Sequence, residues 1–160
     1  MLWPPWSRPS LHRVKPMKRI YAKEDYCIGC RLCEVYCIWK HSGHKTLVKA
    51  FQDEENRPEP AVFVEEDGAI SFALQCRHCE DAPCVAACIA GAMTRDPETG
   101  VVHHDEEKCV GCWSCVMMCP FGAIHIDLEK GKVVSKCDLC KEDEVPACVA
   151  HCPNEALIYE

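Results

Sequence analysis

Sixteen cysteines in 160 residues fall into four groups of four, and that spacing nearly fixes the chemistry. The groups are Cys27/Cys30/Cys33/Cys37, Cys76/Cys79/Cys84/Cys88, Cys109/Cys112/Cys115/Cys119 and Cys137/Cys140/Cys148/Cys152. The first and third read C-x2-C-x2-C-x3-C. The second is C-x2-C-x4-C-x3-C and the fourth C-x2-C-x7-C-x3-C. Three cysteines spaced two apart let one tight loop wrap three corners of a compact inorganic core. The fourth, three residues on, has entered a helix and points away from that loop, toward a neighbouring core. This is the pattern that holds cubane iron–sulfur clusters in two-cluster ferredoxins.

Two other uses of cysteine fit less well. Disulfides need an oxidising compartment, no secretory leader is evident, and tight C-x2-C-x2-C runs suit disulfides poorly. Zinc sites join two C-x2-C knuckles from a distance, whereas groups one and three have three close cysteines and a helical fourth. Four quartets suit four [4Fe–4S] clusters with no cysteine left over. Pro120 and Pro153 complete the C-P ending in groups three and four, while Cys37 and Cys88 are followed by isoleucine.

The apolar fraction is 48%, but cysteine supplies much of it. The organic core is therefore thin, the clusters are expected at its centre, and the apo chain is expected to be largely unfolded. The formal charge is −7. About −2 from each oxidised cluster with its thiolates brings the holoprotein to roughly −15. Such a charge disfavours nucleic acid and anionic membrane. No apolar run approaches the ~20 residues of a membrane span. Oxygen-sensitive clusters point to a reducing cytoplasm. Residues 1–16, rich in proline and carrying Arg8, His12, Arg13 and Lys15, read as a disordered arm, or as a docking arm using Trp3 and Trp6.

The chain repeats a unit of cysteine loop, short helix, strand, turn and strand, which makes it α+β. After Cys119, Pro120–Asp127 ends a helix and starts a strand. Glu129-Lys130-Gly131-Lys132 turns the chain, and Val133–Lys136 returns it to Cys137. After Cys88, Gly91–Thr94 runs out, Asp96–Gly100 turns and Val101–His103 returns. After Cys152, Asn154–Tyr159 repeats the outgoing half. The segment 38–75 starts polar, passes through the charged stretch Asp53–Pro58, read as a solvated loop, and ends in two apolar runs around Asp67-Gly68, a strong hairpin cue. Two interlocked ferredoxin-like units follow. Residues 75–136 form the inner unit; 17–74 and 137–160 form the outer one with its hairpin insertion.

Gln75–Cys84 carries C-x-H-C-x-x-x-P-C. It resembles the second-motif signature of four-cluster electron-transfer subunits in the dimethyl sulfoxide reductase small-subunit family. Relatives there serve formate dehydrogenases, hydrogenases, carbon monoxide dehydrogenase and tungsten aldehyde oxidoreductases. The resemblance covers about residues 20–160 and implies crossed ligation. One cluster would take Cys27, Cys30, Cys33 and Cys152, and a second Cys137, Cys140, Cys148 and Cys37. A third would take Cys76, Cys79, Cys84 and Cys119, and the fourth Cys109, Cys112, Cys115 and Cys88. The seven-residue gap before Cys148 is shorter than in many relatives.

The remaining residues carry no nucleophile elbow, phosphate loop or paired-carboxylate motif. The chain is therefore expected to have no catalytic residues of its own. His78, between two ligands, reads as a hydrogen-bonding residue rather than a ligand. His103, His104 and His125 read as surface or half-buried strand residues. Trp39 and Trp113 read as shields against water. Cys33 and Cys37 are four residues apart, about 6 Å of helical rise, so neighbouring clusters should lie on the order of 10 Å apart. The expected role is an iron–sulfur subunit conducting single electrons from a catalytic oxidoreductase subunit, of the tungsten or molybdenum aldehyde or carbon monoxide dehydrogenase kind. The far end would meet a ferredoxin, a flavin subunit or another copy of the chain. The alternatives are a freely diffusing polyferredoxin and a cluster-based oxygen sensor, for which four clusters are excessive.

Overall fold

Among the described residues, four antiparallel strand pairs alternate with the cysteine loops; after groups two, three and four a strand follows the last cysteine directly, and after group one an insertion intervenes. The computed structural model describes residues 17–127, 132–141 and 143–160. The arm 1–16 and the turn at Glu129-Lys130-Gly131 lie outside these described residues. The first half contains β1 (Ile20–Ala22), α1 (Leu32–His41), α2 (Leu47–Gln52), β2 (Val62–Asp67), β3 (Ile70–Gln75) and α3 (Pro83–Ala86). The second contains β4 (Met93–Arg95), β5 (Val102–His104), α4 (Ser114–Met117), β6 (His125–Asp127), β7 (Lys132–Ser135), α5 (Ala147–Ala150) and β8 (Leu157–Tyr159).

The pairs are β2–β3, β4–β5, β6–β7 and β1–β8. Three are local hairpins, as their turn residues predict. The β2–β3 hairpin turns at Asp67-Gly68, with Gly68 at φ 61 supplying the left-handed conformation. The fourth pair joins the two ends of the described chain. Ile20 lies opposite Tyr159, and Arg19 and Glu160 exchange backbone hydrogen bonds of 2.6 and 3.1 Å. The final strand, expected only as an outgoing half, thus finds its returning half at the start of the chain. The four repeats close into a ring through hydrogen bonds rather than through a peptide link.

Helices α3, α4 and α5 have four residues each, too short to persist without tertiary support. Pro83 opens α3, where a missing N–H costs nothing. Group one departs from this pattern. Helix α1 runs ten residues, to His41, and α2 follows inside a segment that reads as polar. Six residues carry too little periodicity to stand out, and what anchors α2 is the complete burial of Ala50. The charged stretch beyond it is exposed at residues 54–57, as a solvated loop should be.

The core is divided. One cluster gathers Ile20, Val62, Val64, Ala73, Leu139 and Leu157 around Cys33, Cys37, Cys137 and Cys148. A smaller one gathers Met93, Val102 and Ile124 around Cys84 and Cys115. Equivalent positions of the repeat fill both. Each outgoing strand is entered by alanine and a large apolar residue: Ala61-Val62, Ala92-Met93, Ala123-Ile124 and Ala156-Leu157. The second member of each pair is 2–3% exposed.

Candidate iron–sulfur centre

The tight loops depend on left-handed backbone at one repeated position. The residue before the second cysteine has positive φ in every group: Gly29 at 66°, His78 at 45°, Gly111 at 69° and Leu139 at 63°. In two groups the amide of that same residue points back at the first cysteine. His78 N–H and Leu139 N–H reach the sulfurs of Cys76 and Cys137 at 3.5 Å. The fourth cysteines receive amides from the strands that follow. Met93 N–H donates to Cys88 Sγ (3.3 Å), Ala123 N–H to Cys119 Sγ (3.4 Å) and Ala156 N–H to Cys152 Sγ (3.2 Å). Cys37 receives its bond from Ala61 N–H, at 3.3 Å across the insertion. Hydrogen bonds of this kind favour thiolate over thiol and tune a bound metal centre.

Three hollows are lined by cysteines from two groups each. One is faced by Cys27, Cys30, Cys33 and Cys152. A second is faced by Cys37, Cys137, Cys140 and Cys148. A third is faced by Cys88, Cys109, Cys112 and Cys115. Of the remaining quartet, burial pushes the Cys84 thiol up to about 11, and charge on Cys76 and on Cys119 acts in the same direction. None of the sixteen cysteines is paired in a disulfide.

Burial likewise pushes Cys33 up to about 12 and raises Cys137 and Cys148 further. Closely packed buried thiols gain by losing protons to a cation, since a metal replaces an unfavourable bare thiolate with a bonded one. Four thiols per hollow, with backbone amides directed at their sulfurs, fit [4Fe–4S] cubanes; in the second hollow His41 and Asp138 also lie within 4.8 Å of Cys140. Solvent reaches the quartets unequally. Cys30 and Cys112 are exposed, whereas Cys37, Cys137, Cys140 and Cys148 are all buried. At Cys112 the Ser114 hydroxyl pulls the thiol pKa down.

His78 is fully buried. It accepts a hydrogen bond from Val102 N–H at Nδ1 (3.0 Å), so its proton sits on Nε2. Burial holds its pKa down to about 3, with Lys136 adding to the effect. The expected hydrogen-bonding role is thus met by backbone. His103, His104 and His125 are half-buried on β5 and β6, as expected. Trp39 lies edge-on to the Tyr36–His151 stack beside Cys37 and Cys152, and Trp113 flanks the exposed Cys112.

The polar contacts of two side chains, Lys136 and His41, have no signature in the sequence. Lys136 donates to the carbonyls of Val102 (2.5 Å) and Cys137 (3.1 Å). His41 pairs with Asp138 at 3.2 Å and donates from its other nitrogen to the Cys37 carbonyl at 2.8 Å. The hydrogen bond to Asp138, reinforced by Cys37, raises His41 to about 11. Burial alone would raise Asp138, but His41 and the Cys140 amide hold it well below the usual carboxylate range.

Residues 68–160 match the family model described as a 4Fe-4S dicluster domain. The chain belongs to this family. It is 38% identical to "Electron transport protein HydN" of Escherichia coli, over 87% of this chain and 85% of that one. An "Iron-sulfur protein" of Rhodospirillum rubrum is 39% identical, over 90% and 82%. A sulfite dehydrogenase subunit of Allochromatium vinosum is 32% identical, over 84% and 65%. Among solved structures, the chain is similar to the active-site complex BamBC of benzoyl coenzyme A reductase. There the identity is 22% and the TM-score 0.47, over 90% of this chain and 79% of that one. The chain is an iron–sulfur electron-transport protein. Among the described residues, no helix is long and apolar enough to cross a membrane.

Proposed function

We propose that the chain holds four [4Fe–4S] clusters in crossed quartets and conducts single electrons between a catalytic oxidoreductase subunit and an acceptor. The observation that carries this reading is the lining of the three hollows, each with three cysteines from one group and one from another. The fourth quartet is then Cys76, Cys79, Cys84 and Cys119. When bound, each cluster supplies a one-electron redox centre. The protein holds these centres in sequence, buries every cysteine of the second quartet and leaves an edge open at each end.

The order along the path has support in the thiol environments. Charge on Cys33 is felt at Cys148, which joins the first quartet to the second. Charge on Cys76 is felt at Cys137, which joins the second to the third. Helices α3 and α4 pack together and join the third to the fourth. The exposed Cys30 and Cys112 then lie at opposite ends. The two core clusters support an outer unit of residues 17–74 and 137–160 around an inner unit of residues 75–136. The chain fits the dimethyl sulfoxide reductase small-subunit family and a cytoplasmic setting. The partner is a soluble tungsten or molybdenum aldehyde-type enzyme or carbon monoxide dehydrogenase, with a ferredoxin, a flavin subunit or a second copy at the far end. A freely diffusing polyferredoxin is the second reading, favoured by the open edge at both ends.

Anoxic reconstitution tests the assignment. Holoprotein mixed with its catalytic partner and substrate should bleach in the visible as the clusters are reduced, and holoprotein with substrate alone should not. Reduction of a dye from substrate by the isolated chain would sink the conduit reading. Equal electron exchange with several unrelated enzymes, without a stable complex, would favour the shuttle.

A further inference from the structure

The step between the second and third quartets crosses from one core cluster to the other, and one cation lies at that crossing. Lys136 immediately precedes Cys137 of the second quartet. Its ammonium turns onto the carbonyl of Val102, a buried residue of the smaller core cluster, and onto the carbonyl of Cys137 itself. Val102 N–H is in turn bound by His78, which lies between Cys76 and Cys79 of the third quartet. A continuous chain of contacts therefore runs from one loop to the other: Cys76–Cys79 loop, His78, Val102 peptide, Lys136, Cys137 loop.

The charge on Lys136 reaches thiols on both sides. Burial raises Cys84 and Cys137, and Lys136 opposes the rise at each. The other charges lining the same cavity, of about 300 Å³, are arranged differently. His41 is neutralised by Asp138. Lys141 is exposed, and Glu59 and Glu106 are of opposite sign.

Resting on the four-cluster reading, we infer that Lys136 is a positioning residue for electron transfer, a fixed cation that stabilises the reduced state of the two central clusters. The reasoning is electrostatic. Each oxidised cluster with its thiolates carries about −2, and reduction adds another negative charge. In this half-buried junction an ammonium is screened less than it would be in water. It favours the more reduced state on both sides and holds the two central potentials above the value that burial among like charges would set. The electron enters at one terminal quartet and leaves at the other. Lys136 keeps its proton throughout and forms no bond to either cluster.

The test is a redox titration of the anoxic holoprotein followed by electron paramagnetic resonance. Wild type is first required to contain about sixteen iron and sixteen sulfide. A shortfall there would defeat the four-cluster reading without touching Lys136. Clusters are assigned as terminal by their loss in Cys30→Ser and Cys112→Ser. Lys136→Gln keeps a donor and removes the charge. In that variant the reduced-to-oxidised ratio of the two central clusters should fall about tenfold at a given potential, or about 59 mV for one electron. The terminal clusters should change less than about twofold. Lys136→Arg should stay within about twofold of wild type at all four, and Lys141→Gln is the matched control. An equal shift at all four clusters, or none at the central pair, would overturn the inference. If Lys136→Gln fails to load iron, Lys136→Arg decides. Full loading with unshifted potentials supports a charge requirement, and failure of both variants assigns Lys136 to folding alone and overturns it.

Discussion

The two ends of the molecule hold equivalent cysteine loops with very different amounts of protein around them. At the Cys109–Cys119 end, a four-residue helix and two short hairpins suffice, and the buried cluster behind them is small. At the Cys27–Cys37 end, a ten-residue helix, α2, the β2–β3 hairpin and the β1–β8 pair all pack on a larger one. Yet the local sulfur geometry is the same, with an inward amide on the fourth cysteine in both places. Loop geometry and surrounding bulk are therefore separate variables. The loop presents the thiols, and the bulk decides how much water reaches them and how firmly distant groups are brought together.

The strongest test removes one crossing ligand from the outer unit and one from the inner. Cys152→Ala should cost the quartet completed by Cys27, Cys30 and Cys33, lowering iron by about a quarter, while Cys137, Cys140 and Cys148 keep their full set with Cys37. Cys119→Ala should do the same to the Cys76/Cys79/Cys84 quartet. Anaerobic iron analysis with resonance assignment reads the outcome. Loss of the Cys137 quartet in Cys152→Ala would break the crossed scheme.

A smaller effect should separate the two ends by bulk. Leu157 and Ile124 occupy equivalent positions and are each 3% exposed. Truncation of either to alanine falls in the range of about 2–5 kcal/mol for buried aliphatic residues. Leu157→Ala should lie at the upper end, because it also weakens the β1–β8 closure. Ile124→Ala should lie at the lower end, because its neighbours can collapse. The temperature at which visible absorbance is lost measures this under anoxic conditions. Equal shifts would show that bulk does not set stability here.

The smallest effect concerns the His41–Asp138 pair beside the insertion. His41 is raised above its unfolded pKa, so its contribution is complete below about 6.5 and is lost as pH rises through about 11. Asp138 is depressed, so its contribution is complete above about 4 and is lost as pH falls below the carboxylate range. Both act together between about pH 4 and 6.5. With each side chain about a third exposed, His41→Gln should destabilise by about 1 kcal/mol in that window and by less above pH 11. A pH-independent difference between wild type and variant would remove the pair as the cause.

Cysteine spacing made the chemistry legible, and turn chemistry made three hairpins legible, because both depend on residues close together in the chain. Asp67-Gly68 marks its own turn, and the runs after Cys88 and Cys119 carry strand patterning within a few residues. Helix α2 was hidden because six residues flanked by charge carry no decisive period, and α1 extended further than the repeat suggested. The β1–β8 pair was hidden because its two strands lie at opposite ends of the described chain. Nothing local in Ile20–Ala22 names Leu157–Tyr159 as its partner.

By itself the sequence determined the sixteen thiols and their grouping, since these follow from spacing alone. Only the tertiary structure decided that cysteines of two groups line each of three hollows, that Ala61 replaces a local amide at Cys37, and that Lys136 spans from Cys137 to Val102. Those outcomes depend on groups far apart in sequence, brought together by burying the apolar residues that follow each quartet. The chain's local code specifies the ligands, and long-range packing specifies their company.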